Sequence, residues 1–183
     1  MSAGRSLLMA LYVVSVATPL AAQTVVLDEG SFRLQVAGKE VGTETFTIRQ
    51  NGTGDNAVVI AQGQVSLDTA GAGQQLSARL QVSGVALRPA AYQITVSGQN
   101  KEEIAGSVTG SRFSARILSP TGEEMREYVA SEGAVVADEG VAHHYYFLAQ
   151  RVGSESAQVP VIIPRRNQQV VARVSGRGNE SVT

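Results

Sequence analysis

From about residue 31 onward the chain alternates apolar and polar side chains with a period of two, and this alternation constrains the fold more than any other feature. Residues two apart point to the same side of a strand, so the pattern describes strands with one buried and one solvated face. Phe32, Leu34 and Val36 fall on one face of a first strand, with Ser31, Arg33 and Gln35 on the other, and a Gly38-Lys39 turn follows. A second strand over 40–49 places Phe46 and Ile48 on one face and Thr43, Thr45, Thr47 and Arg49 on the other. Val41 is out of phase with Phe46, which predicts a bulge at Gly42. Asn51-Gly52 is a hairpin signal, a third strand over 57–67 carries Val58 and Ile60 on one side, and 68–74 is a loop of small residues.

The same alternation continues through Leu76, Ala78, Leu80 and Val82, then Tyr92, Ile94 and Val96, then Phe113, Ala115 and Ile117. Further strands are predicted over 102–108, 123–130, 158–163 and 168–174. Turn signals every 8–12 residues in this part of the chain predict a mainly β fold: a curved antiparallel meander, either a half-barrel or a barrel. One segment departs from the pattern. Val141, Tyr145, Leu148 and Val152 recur at helical spacing, with Asp138 as N-cap and Gly153 as the stop, which predicts one short helix of about three turns over 140–152.

Residues 1–22 carry the marks of a secretory signal peptide: Arg5, an apolar run over 7–17, and Pro19-Leu20-Ala21-Ala22 as a small-residue cleavage site. A spanning helix needs about 20 apolar residues, and this run is interrupted at Thr18-Pro19, so no stable membrane span is expected once the leader is cleaved. The expected location is the periplasm or the secreted fraction, with residues 23–183 forming one β-rich domain. The final residues, 176–183, read as a turn and the start of a strand, so a C-terminus truncated short of further strands is the expectation. The chain has no cysteine, which excludes disulfides, thiolate metal sites and a cysteine nucleophile. A formal net charge of −1 with no clustered basic patch argues against nucleic acid.

The segment "GSFRLQVAGKEVGTETFTIRQNG" resembles the opening of bacterial exported β-rich domains of unknown function, and "ADEGVAHHYYFLAQR" resembles a later part of them. These domains are loosely similar to the half-barrels of periplasmic lipoprotein carriers. The resemblance implies a curved sheet and an exported protein. It implies no reaction.

The candidates for chemistry lie in and near the predicted helix. His143 and His144 are adjacent, which turns their side chains about 100° apart on a helix, and no third ligand is evident, so no metal or other cofactor is expected. Asp138 is near enough in sequence to orient one of them. The expectation is one surface histidine and one half-buried one, with Tyr145 and Leu148 docking the helix on the sheet. His144, Tyr145 and Tyr146 are the candidate ligand-binding residues, since aromatic rings with polar tips suit the mouth of an apolar site. Glu102, Glu103, Glu123 and Glu124 fit solvated faces near turns, as do Arg79, Arg112, Arg116 and Arg126, and no catalytic set emerges. The leading expectation is therefore a non-enzymatic exported envelope protein that binds an apolar ligand such as a lipid in its curved sheet. The alternatives are a structural or adaptor domain binding another envelope protein, and a hydrolase using His143 or His144.

Overall fold

The computed structural model describes residues 24–69, 72–98, 100–152 and 156–176. The expected leader, the helix stop at Gly153 and the 177–183 end lie outside the described residues. Eight antiparallel strands form a meander in sequence order: β1 (Thr24–Val36), β2 (Lys39–Asn51), β3 (Val58–Thr69), β4 (Ala72–Ser83), β5 (Arg88–Gly98), β6 (Glu102–Thr109), β7 (Arg112–Ser119) and β8 (Gly122–Val129). The sheet does not close, so the architecture is that of a half-barrel. A second sheet has the order β11-β10-β9, with β9 (Val135–Val136) parallel to β10 (Ala157–Ile163) and β10 antiparallel to β11 (Gln168–Val174).

The apolar phases read from the sequence become the inner face. Leu76, Leu80, Tyr92, Ile94, Phe113 and Ile117 are buried and join the small sheet's Val135, Val136, Val159, Val161 and Ile162 in one continuous core. Buried side chains of both sheets meet in this cluster. On β3 the buried phase is Val59, Ala61 and Val65, whereas Val58 and Ile60 are half-buried on the opposite face. The register of β1 on β2 steps from Leu34↔Gly42 to Gln35↔Glu40, which leaves Val41 as the extra residue of the expected bulge.

Four local expectations are corrected, the last at the β1–β2 turn. The chain leaves β2 at Asn51 and crosses to β3 through a 3₁₀ turn at Gly54–Asn56, so Asn51-Gly52 starts a longer connection rather than a two-residue hairpin. The predicted loop over 68–74 is mostly strand, since Asp68↔Gly73 and Thr69↔Ala72 pair. The predicted three-turn helix is shorter: a 3₁₀ turn at Ala142–His144 runs into the one-turn helix α1 (Tyr145–Ala149). Val141, the residue before this turn, is extended, and Asp138 is not its cap. The far end is pinned by Arg151, whose guanidinium donates to the carbonyls of Ala86 at 2.7 Å and Leu87 at 3.0 Å.

The β1–β2 hairpin turns at Ala37-Gly38 rather than Gly38-Lys39, with φ of 51° and 77°. A two-residue turn with both central φ positive matches the twist of the strands it joins, but it favours Asn-Gly because a Cβ with the alanine shape is strained there. Ala37→Asn should therefore stabilise the protein by about 0.5–1 kcal/mol. The check is a higher urea midpoint at unchanged denaturant dependence.

Candidate functional site

The segment from Ala137 to Gln150 crosses the inner face of the large sheet, and a carboxylate holds it there. Glu44 follows the phase of Phe46 and Ile48 on β2, so its side chain points into the core and is fully buried. One oxygen accepts the Ala142 backbone N–H at 2.6 Å. The other accepts the His143 N–H at 3.4 Å and lies 2.5 Å from His143 Nδ1. The first N–H groups of a helical turn have no partner within it and lie at its positive end. Glu44 supplies that partner from 98 residues away in sequence. Because the carboxylate is an acceptor only, the network assigns the proton of the short contact to Nδ1 of His143.

Space for this arrangement comes from Gly63 on β3. A Cβ there would lie 2.5 Å from His143 Nδ1 and 2.8 Å from Glu44 Oε1, so any side chain would displace the pair.

A second buried group sits beside the first. Asp138 accepts the Tyr92 hydroxyl at 2.7 Å and the Arg165 backbone N–H at 3.2 Å, while its own N–H donates to His144 Nδ1 at 3.1 Å. His144 is thus a neutral imidazole bearing its proton on Nε2. Burial pushes the Asp138 carboxyl up from 3.8 to about 6, against the Tyr92 and Arg165 hydrogen bonds that pull it down. Burial also holds His144 well below the usual imidazole value, and His143 adds to this. Desolvation raises the Tyr92 hydroxyl, helped by the Asp138 charge.

Both histidines are therefore enclosed, at 1% and 0% exposure, rather than one lying on the surface. Their Nε2 atoms are buried without a hydrogen-bond partner. The rings continue a series across the inner face: Phe32 on Phe46 at 4.8 Å, Phe46 on His143 at 6.1 Å, His143 against His144 at 4.6 Å, and His144 against Tyr92 at 5.7 Å. The docking residues of the helix are corrected too. Phe147 is buried with Leu148, while Tyr145 is 65% exposed. The 3₁₀ start turns the chain faster than an α-helix, which shifts the buried stripe off Tyr145 and onto His143, His144 and Phe147. Tyr146 is half-buried and meets Phe147 edge-on at 5.4 Å.

Of the three predicted ligand residues, Tyr145 lines a surface groove, Tyr146 lies at the side of the helix, and His144 is sealed beneath it. The groove has a volume of about 510 Å³. Leu34, Val36, Val41, Leu67 and Val141 form its apolar wall, with Glu139 and Arg165 among its polar members. Glu139 and Arg165 are engaged. Arg165 donates to Glu102 at 3.2 Å and to the Glu139 carbonyl at 3.1 Å, and the Glu139 carboxylate pairs with Arg166. Three of the four arginines form ion pairs with glutamates: Arg112 with Glu127, Arg116 with Glu123, and Arg126 with Glu124. Arg79 stands apart from them between Gln62 and Gln93. Among the described residues, no group of three or more potential ligands is placed to hold a metal ion. Comparison with known protein families, curated proteins and solved structures finds no match to this chain.

Removing one member of a buried pair leaves the other without its partner, at a cost of about 3–5 kcal/mol. Glu44→Ala and His143→Ala should each destabilise on this scale, and the double variant should cost clearly less than their sum. Urea unfolding of the four proteins gives the coupling; additive losses would contradict the pairing.

Asp138 and His144 act on stability in opposite senses as pH changes. Folding raises Asp138, so its contribution is present below about pH 4 and is lost as pH rises through about 6. Folding depresses His144, so its contribution is present above about pH 6.5 and is lost as pH falls. Where the two windows overlap the two effects oppose each other. Asp138→Asn removes the Asp138 contribution, and as pH falls from about 6 to 4 this variant should lose about 1.4 kcal/mol per pH unit relative to the wild type. Urea midpoints from pH 4 to 8 measure the difference, and parallel profiles would refute it.

Proposed function

We propose that this chain is an exported protein of the bacterial cell envelope, non-enzymatic, that binds an apolar ligand such as a lipid. The observation that carries the reading is the groove of about 510 Å³ bounded by Leu34, Val36, Val41, Leu67, Val141 and Tyr145. Its size falls in the range of small-molecule sites, about 300–1,000 Å³. An alkyl chain laid against these residues gains about 25 cal/mol for each Å² of apolar surface removed from water. Tyr145, exposed at the mouth, offers a hydroxyl to a polar headgroup. Because apolar side chains of both sheets pack together behind the groove, the ligand is placed at this rim.

The adaptor reading has its own support in β1, an edge strand with Val25, Val26, Phe32 and Val36 all at least 40% exposed. A hydrolase built on His143 or His144 is the weaker reading, because both imidazoles are enclosed and turned toward Glu44 and the Asp138 amide.

Extraction of the purified protein and mass spectrometry of the extract should reveal a bound lipid. A fluorescent fatty acid should bind in the micromolar range, and the double variant Val36→Asp/Tyr145→Ala should weaken it about tenfold, from the lost apolar contact. A clean extract together with no probe binding would end this reading.

A further inference from the structure

We propose that two copies of this chain pair through β1 about a two-fold axis at Ser31, joining their large sheets into one continuous antiparallel sheet. The two edges of the large sheet are treated differently. At the C-terminal end of β8, the Gln169 side chain takes a strand's place beside Val129: its amide nitrogen donates to the Val129 carbonyl at 2.7 Å and its oxygen accepts the Val129 N–H at 3.2 Å. The Tyr128 hydroxyl nearby donates to Asn167 at 3.1 Å. The β1 edge has no such cover among the described residues. It is 13 residues long, with neither proline nor lysine, and nearly all of it is exposed. It carries Asp28, Glu29 and Arg33 and a register step at Leu27, and from Asp28 to Val36 its exposed backbone edge is open to another strand whose charges match.

The occupant is argued from charge and ring positions. A two-fold axis perpendicular to a continuous sheet keeps each face continuous, so only residues of the same phase stand opposite one another. With Ser31 on the axis, Glu29 stands opposite the second copy's Arg33, and Arg33 opposite its Glu29. No other same-phase register over this stretch brings opposite charges together. Within one chain these two side chains face Thr47 and Thr43 across β2, and neither forms an ion pair among the described residues. On the inner face the same register sets Phe32 opposite the second copy's Gly30. Phe32 is 40% exposed and stacked on Phe46 at 4.8 Å with an interplanar angle of 4°. The second copy's Phe32 then lies on the diagonal, within reach of an aromatic contact. The Phe46–Phe32 stack of each chain thus continues across the axis.

Charge reversal with rescue tests this register. Sedimentation equilibrium of the purified protein at tens of micromolar should give a dimer. Glu29→Arg alone or Arg33→Glu alone places like charges opposite each other twice, and should raise the dimer Kd at least about tenfold. The double variant Glu29→Arg/Arg33→Glu restores two opposite-charge pairs and should restore the dimer. Circular dichroism melts should show all three variants folded, since these side chains are exposed on the outer face. A monomeric wild type overturns the proposal, as it would if another part of the chain or another protein covered β1. So does a dimer indifferent to both single reversals, or a double variant that stays monomeric.

Discussion

A carboxylate buried inside a β sheet is the interaction on which the rest of this structure depends. Glu44 lies between Phe46 and the bulge on the inner face of β2, where the next two in-phase residues, Phe46 and Ile48, are apolar. A lone ion there would be intolerable. It is tolerated because Ala142, His143 and the His143 ring together supply donors to both oxygens, and because Gly63 gives the imidazole room. Such a pair adds little net stability over a well-packed apolar replacement. What it contributes is position: an apolar contact would let the 142–149 segment slide, whereas two oxygens facing defined donors hold it in one place.

That placement accounts for features that local propensity does not. A helix starting at Asp138 and running to Val152 would put Tyr145 against the sheet. Asp138 is instead drawn inward to Tyr92 and the Arg165 amide, and its own N–H is taken by His144. The helical turn therefore starts later, at Ala142, with a tight 3₁₀ geometry that brings two adjacent side chains, His143 and His144, inward together. Tyr145 is released to the surface and becomes part of the groove wall. The mouth of the groove, including Gly140, Val141 and Ala142, is thus set by buried polar groups behind it.

How far this could be read from the chain follows from the range of each interaction. The strands were legible because alternation is local and one phase is apolar: Leu76 to Val82, Tyr92 to Val96 and Phe113 to Ile117 all point inward as their pattern implies. The bulge was legible from the phase slip at Val41 and Gly42. The site was legible only in outline. Asp138, His143 and His144 stood out as chemistry-bearing residues, but their burial did not, because helical spacing pointed to Tyr145. Glu44 was missed. Its signal was present, a charged residue on the apolar phase of a strand, but its partner lies 99 residues away and no local rule connects them. Gly63 carried the same kind of signal, a side chain missing from the middle of an inner face.

The absence of cysteine takes on a different meaning beside these contacts. An open sheet has two edges and a concave face to secure, and a protein without disulfides must secure them by packing and hydrogen bonds. The concave face is closed by the small sheet and pinned at Glu44, Asp138 and Arg151, contacts that link segments far apart in sequence. The end of the β8 edge is capped at Val129 by the amide of Gln169. The β1 edge, by contrast, carries exposed valines and Phe32 beside Glu29 and Arg33, opposite charges on one face that form no ion pair among the described residues. Solubility alone would favour like charges along that strand, which would repel any incoming one. Opposite charges four residues apart on the same face do the reverse, since they match their own image.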